Sequence, residues 1–106
     1  MYPTGYNSAV RYLVKQTVGF SAWHVGLRDL RAKVAIARRI EQAENGNLGK
    51  TRSVGNGVSE MKIDLGPGYR VYFTVRGREV IVLLAGGDKS SQSTDIRRAH
   101  ALAKEV

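Results

Sequence analysis

The sequence predicts an α+β domain with the element order β-α-α-β-β-β(-β)-α: a mainly antiparallel sheet with a helical hairpin packed on it. Three observations carry this. From Phe20 to Ile40 apolar residues recur at helical three-and-four spacing. From Val58 to Arg76 apolar and polar residues alternate about a Gly66-Pro67-Gly68 turn, the pattern of a β-hairpin. A last amphipathic segment then opens near Gln92.

Arg11 to Val18 holds enough β-branched and aromatic residues to form an opening strand. The helical stripe that follows runs Phe20, Trp23, Leu27, Leu30, Val34, Ala37 and Ile40. Gly26 and Asp29 interrupt it, and Asp29 is suited to cap a new helix, so a short helix and a longer one are expected as a hairpin. Asn45-Gly46-Asn47-Leu48-Gly49 ends the longer helix, since Gly and Asn accept the left-handed conformation. Its other face carries Arg28, Arg31, Arg38 and Arg39, a solvated stripe or a phosphate contact.

Lys50 to Val54 and Val58 to Leu65 are strands joined at Gly55-Asn56-Gly57. In the second, Met61, Ile63 and Leu65 share one face and Glu60, Lys62 and Asp64 the other. Beyond Gly66-Pro67-Gly68, Tyr69, Val71, Phe73 and Val75 alternate with Arg70, Tyr72, Thr74 and Arg76. The wholly apolar Val80 to Ala85 implies a strand covered on both faces. In the final helix Ser91 or Ser93 is the expected cap, Asp95 suits the positive dipole end, and Ile96, Ala99, Ala103 and Val106 form the buried stripe.

At 106 residues the chain is read as one domain, residues 11–106, preceded by a flexible arm at residues 1–10. Seventeen Lys and Arg against nine Asp and Glu give a net charge of +8, which favours a polyanionic partner. The absence of cysteine removes disulfide and thiolate chemistry. No apolar run approaches the roughly 20 residues of a membrane span, and the first residues lack a signal-peptide layout, so a cytoplasmic protein without membrane contact is expected. No His, Asp and Glu cluster has metal-ligand spacing, and neither metal nor cofactor is expected. His24 and His100 are read as surface or interface residues.

The alternation brings Glu60, Lys62 and Asp64 beside Arg70, Tyr72, Thr74 and Arg76 on one polar sheet face, read as open. Glu60 and Arg70 are also read as a plain cross-strand ion pair.

The stretch Gly66-Pro67-Gly68-Tyr69-Arg70-Val71-Tyr72-Phe73, followed by Leu83-Leu84-Ala85-Gly86-Gly87-Asp88-Lys89-Ser90-Ser91-Gln92-Ser93-Thr94-Asp95-Ile96, closely resembles the core signature of the addiction-module-killer branch of the RelE/HigB toxins. The resemblance also takes in Phe20, Trp23, Leu27 to Asp29, Glu44 to Asn47 and Val54 to Met61. It implies a RelE/ParE-like fold and the toxin of a type II toxin–antitoxin module: a metal-independent endoribonuclease cutting messenger RNA in the ribosome. The implied partners are an antitoxin, expected to be a helix-turn-helix HigA-like protein able to lie on the helical pair, and operator DNA only through that antitoxin. By the same resemblance Arg70 contacts the scissile phosphate, Lys62 and Lys89 add charge, and Glu60 or Tyr72 handles the proton. Lys50, Arg52, Arg76 and Arg78 are the expected RNA contacts. The histidines used by some relatives have no counterpart. The rival is a ParE-like gyrase poison without nuclease activity.

Overall fold

The computed structural model describes residues 11–106; the expected arm at residues 1–10 lies outside them. The elements are β1 (Leu13–Gln16), α1 (Val18–Val25), α2 (Leu30–Glu44), β2 (Thr51–Gly55), β3 (Val58–Ile63), β4 (Tyr69–Arg76), β5 (Val80–Gly87), a 3-10 turn (Lys89–Ser91) and α3 (Gln92–Ala103). The five described strands form one sheet in the order β1-β5-β4-β3-β2. β1 runs parallel to β5 and every other pairing is antiparallel, so the α+β class and element order follow the sequence pattern.

The helices cover both faces of this sheet, not one. Against α1 and α2 lies a core of Phe20, Ile36, Ala43, Met61, Ile63, Val71, Phe73, Ile81 and Leu83. Against α3 lies a second core of Val58, Tyr72, Val82, Leu84, Ala85, Ala99 and Ala103. The apolar run of β5 feeds both, as a doubly covered strand must. Tyr72 lies opposite Ala85 and Phe73 opposite Leu83, which leaves Leu84 as the extra residue of a β-bulge.

Thr17 starts α1: its hydroxyl accepts from the Phe20 amide and donates to the Leu84 carbonyl, tying the helix start to β5. Asp29 caps α2 as expected, accepting from the amides of Arg31 and Ala32. The stripe of α2 is out of phase with the reading that ran it on from α1. Ala32, Ile36 and Ala43 are buried, while Leu30 and Val34 are 70% and 52% exposed. The break at Gly26 to Asp29 resets the helical phase, so one stripe cannot be extrapolated through it. Arg39, expected among the solvated arginines, turns inward and donates to the carbonyls of Leu48, Lys50 and Lys62.

α3 also departs from expectation. Ser91 occupies the cap position without making a side-chain cap bond; its hydroxyl donates instead to Asp95 Oδ2 at 2.5 Å. Asp95 is buried against the sheet, and Val106 lies beyond the helix and is exposed. Each histidine is half-buried with Nε2 on a backbone carbonyl 2.9 Å away, His24 on Lys33 and His100 on Val54. The latter contact staples α3 to β2.

Candidate functional site

Arg70 is the second residue of β4, directly after the turn, and pairs in register with Lys62 of β3 on one side and Gly87 of β5 on the other. Two residues beyond Gly87, the 3-10 turn carries Lys89 past the same end of the sheet. Lys62, Arg70 and Lys89 thereby line one cleft of about 360 Å³, together with Asp64 and the Leu65 to Gly68 turn. A neighbouring cleft of similar size is lined by Arg39, Lys50, Thr51, Arg52 and Glu60, and shares Lys62 and Asp64 with the first.

The face behind these clefts is not open. α3 covers it, leaving Glu60 5%, Arg70 7% and Tyr72 0% exposed. The reason is area: α1 and α2 occupy one face, and an amphipathic α3 with Ala99 and Ala103 to bury has only the other.

Glu60 lies at the centre of the covered part. Arg52 Nη2 reaches its Oε1 at 3.2 Å and its Oε2 at 3.3 Å, Arg52 Nε reaches Oε1 at 3.3 Å, and Gln92 Nε2 donates to Oε2 at 3.0 Å. Arg70 Nε stands 3.6 Å from Oε2, so the expected Arg70–Glu60 ion pair exists, set diagonally across the strands. Arg70 Nη1 donates to the Gly68 carbonyl at 2.7 Å, and among the described residues Nε makes no hydrogen bond. Among the described residues Arg70 Nη2 has no hydrogen-bond partner. Two guanidinium groups and one carboxylate leave the cluster with one surplus positive charge, which suits an anion.

Tyr72 is removed from any substrate. Among the described residues its buried hydroxyl makes no hydrogen bond of normal geometry. Loss of solvent, and next the nearby Glu60 charge, hold the phenol well above its usual range. Proton handling by Tyr72 at bound RNA is therefore incompatible with its position. Glu60 is also poorly placed as a free base, because Arg52 and Gln92 already engage both its oxygens.

Of the expected RNA contacts, Lys50 and Arg52 border the second cleft. Arg76 and Arg78 lie at the opposite end of β4. Arg76 donates to the carbonyls of Ala103 and Val106, closing the C-terminal end of α3, and Arg78 is exposed in the β4–β5 turn. Neither joins the clefts. Lys62 is half-exposed with Asp64 at 3.3 Å.

The sequence reading placed Gln92 at the start of the last helix and Asp95 at its dipole end but gave neither a part in the site, although both stand on the face of α3 that carries Ile96, Ala99 and Ala103. Polar residues on a buried stripe were the available signal. Gly86 and Gly87 end β5 where neighbours press on the backbone: a Cβ on Gly86 would overlap the indole of Trp23, and one on Gly87 would overlap Asp95 and Ser91. Asp88 caps the 3-10 turn through the Ser90 amide. The Ser90 hydroxyl, and then that amide, hold its carboxyl below the usual carboxylate range. Among the described residues no three His, Cys, Asp or Glu side chains gather as a metal site.

Against solved structures, the chain superposes on a mutant of the Escherichia coli toxin RelE in the free state. The TM-score is 0.66 with 12% identity, covering 89% of this chain and 98% of that one. It is 44% identical over 93 residues to an uncharacterized protein of Haemophilus influenzae, spanning 88% of this chain and 94% of that protein. Residues 27–105 match the family described as phage derived protein Gp49-like. The chain thus has a RelE-like fold and belongs to the Gp49-like family of phage-derived proteins.

Proposed function

We propose that this protein is the toxin of a type II toxin–antitoxin pair and acts in the cytoplasm as a metal-independent endoribonuclease on messenger RNA in the ribosomal decoding site. The observation that carries the reading is the convergence of Lys62, Arg70 and Lys89 on one cleft at the end of the β3–β4 hairpin. Attack of a ribose 2′-hydroxyl on the adjacent phosphate, with its proton passing to water, forms a 2′,3′-cyclic phosphate and expels the 5′-oxygen, which takes a proton from water. The crowded phosphorane carries extra negative charge. Arg70 would hold a non-bridging oxygen, with Lys62 and Lys89 on either side, so the acceleration rests on alignment and charge stabilisation. Lys50 and Arg52 in the adjoining cleft would hold the next phosphate.

The antitoxin would dock on the helical pair. There Leu30, Arg31, Val34, Ala35 and Arg38 form an open groove of about 450 Å³, and Val18 and Val25 of α1 are exposed as well. An amphipathic acidic helix fits such a surface; operator DNA would be reached only through a helix-turn-helix antitoxin.

A second reading has its own support. Glu60 is sheathed and Tyr72 is buried, and a ParE-like gyrase poison needs no acid–base pair. Transcript-end mapping after induction of the chain alone separates the two. Growth arrest with transcripts cut in register with the reading frame is the expected result. Intact transcripts with gyrase-linked DNA breaks would replace this reading with the second.

A further inference from the structure

The guanidinium of Arg70 has few ways to be held. Nη1 is taken by the Gly68 carbonyl at 2.7 Å, and Nε faces Glu60 Oε2 at 3.6 Å. Nη2 is the nitrogen left to meet a ligand in the cleft. The plane of the guanidinium therefore depends on where the Glu60 carboxylate sits, and Glu60 is itself fixed from two directions. Arg52 grips it from β2 through Nε and Nη2, and Gln92 donates to it from the first residue of α3 at 3.0 Å. Gln92 makes no hydrogen bond to Arg70 and does not line the Arg70 cleft, yet among the described residues it makes the one hydrogen bond between α3 and the Glu60 carboxylate.

We propose that Gln92 and Arg52 are positioning residues: together they hold the Glu60 carboxylate, and Glu60 in turn sets the plane of the Arg70 guanidinium, with Nη2 free for a phosphate oxygen. This assigns Glu60 an orienting role in place of proton acceptance. It rests on the proposed reading only in taking a phosphate as the ligand of Arg70; the holding of Arg70 is a property of the free protein. A hydrogen bond from Nη2 to a phosphate oxygen weakens steeply as its angle departs from linear, so a loosened Arg70 forfeits alignment before it forfeits charge.

The test is side-chain NMR of the Arg70 Nε–H group in the free protein, combined with RNA cleavage measured across pH. The wild type is compared with Gln92→Met, which keeps the length of the side chain without the donor, and with Arg52→Gln, at a residue 62% exposed, each with a thermal melt to establish that it is folded. In each variant the Arg70 Nε–H resonance is expected to shift and exchange faster with water. For Gln92→Met, kcat on RNA is expected to fall by about 10- to 100-fold, the size typical of residues that orient a functional group, with KM nearly constant and the pH profile unchanged in shape. Glu60→Gln is expected to lower the rate while retaining the same pH profile. An Arg70 resonance unchanged in both Gln92→Met and Arg52→Gln overturns the proposal, as does loss of the acidic limb of the pH profile in Glu60→Gln, which would make Glu60 the base. A wild type that cleaves no RNA, with the Arg70 resonance still responding to both changes, sinks the ribonuclease reading and leaves the positioning intact.

Discussion

Replacing Tyr72 by phenylalanine removes one oxygen from the core and nothing from the cleft. That oxygen is fully buried and among the described residues has no hydrogen-bond partner of normal geometry, and an unsatisfied buried polar group costs about 1–3 kcal/mol. Deleting it leaves a void smaller than a water molecule, so the net gain is expected at roughly 1 kcal/mol. Unfolding entropy near 2.1 cal/mol/K per residue gives about 0.22 kcal/mol/K for a chain of this length, which converts the gain to a rise in Tm of roughly 4–5 °C. Differential scanning calorimetry on wild type and Tyr72→Phe measures the shift, and RNA cleavage on the same preparations is expected to be unchanged. A fall in Tm would show that the hydroxyl is bonded in solution, by a buried water or by Glu60. A stable variant without cleavage would show that the phenol reaches the chemistry after all, and would refute the argument from burial.

The same phenol predicts an alkaline weakness. Its folded-state pKa lies above the ordinary value of 10.0, so stability is level with respect to this group below that pH and falls above it, as the unfolded chain releases a proton that the folded one retains; urea midpoints at rising pH should decline less in Tyr72→Phe. Gly86→Ala should cost about 1–3 kcal/mol by driving a methyl into Trp23, and because this is the only tryptophan in the chain, its fluorescence should report the displacement. Arg70→Ala is expected to abolish cleavage and also to lower stability by about 1–3 kcal/mol, since Arg70 is buried against Glu60; an unchanged melting temperature would mean that the pair contributes nothing to the fold.

The hairpin was legible because period-two alternation has one physical solution: Met61, Ile63, Val71 and Phe73 on one side do share a core. The expected turn of Gly66 to Gly68 would set Asp64 opposite Arg70; β3 instead ends at Ile63 and the connection runs from Asp64 to Gly68, which sets Lys62 there, so the face of the candidate site could be read from the chain and its register could not. The cover over the polar face could not be read from the strands alone. Glu60, Arg70 and Thr74 look like solvent-facing residues until α3 is placed, and the sign that α3 lies there is in the helix: Gln92 and Asp95 stand on its apolar stripe. Likewise nothing local distinguishes Leu30 from Ile36. Only the phase reset at Asp29 decides which of them meets the sheet.

The sheet face beneath α3 is divided. Val58, Val82, Leu84, Ala99 and Ala103 make one end an ordinary apolar core. Glu60, Arg70, Asp95 and the Tyr72 hydroxyl make the other end polar, beside the cleft. Holding α3 in place does not require that second chemistry: buried ion pairs replaced by apolar side chains of similar volume are often neutral, or stabilising by about 1–4 kcal/mol. The combined variant Glu60→Met, Arg70→Leu and Gln92→Leu is therefore expected to melt at or above the wild-type temperature while losing RNA cleavage, unlike Arg70→Ala, which leaves Glu60 buried without one of its cations. If the combined variant fails to fold, the cluster is there to hold the structure. If it folds with undiminished stability and is inactive, the charges are retained at a cost to the core because the cleft needs them.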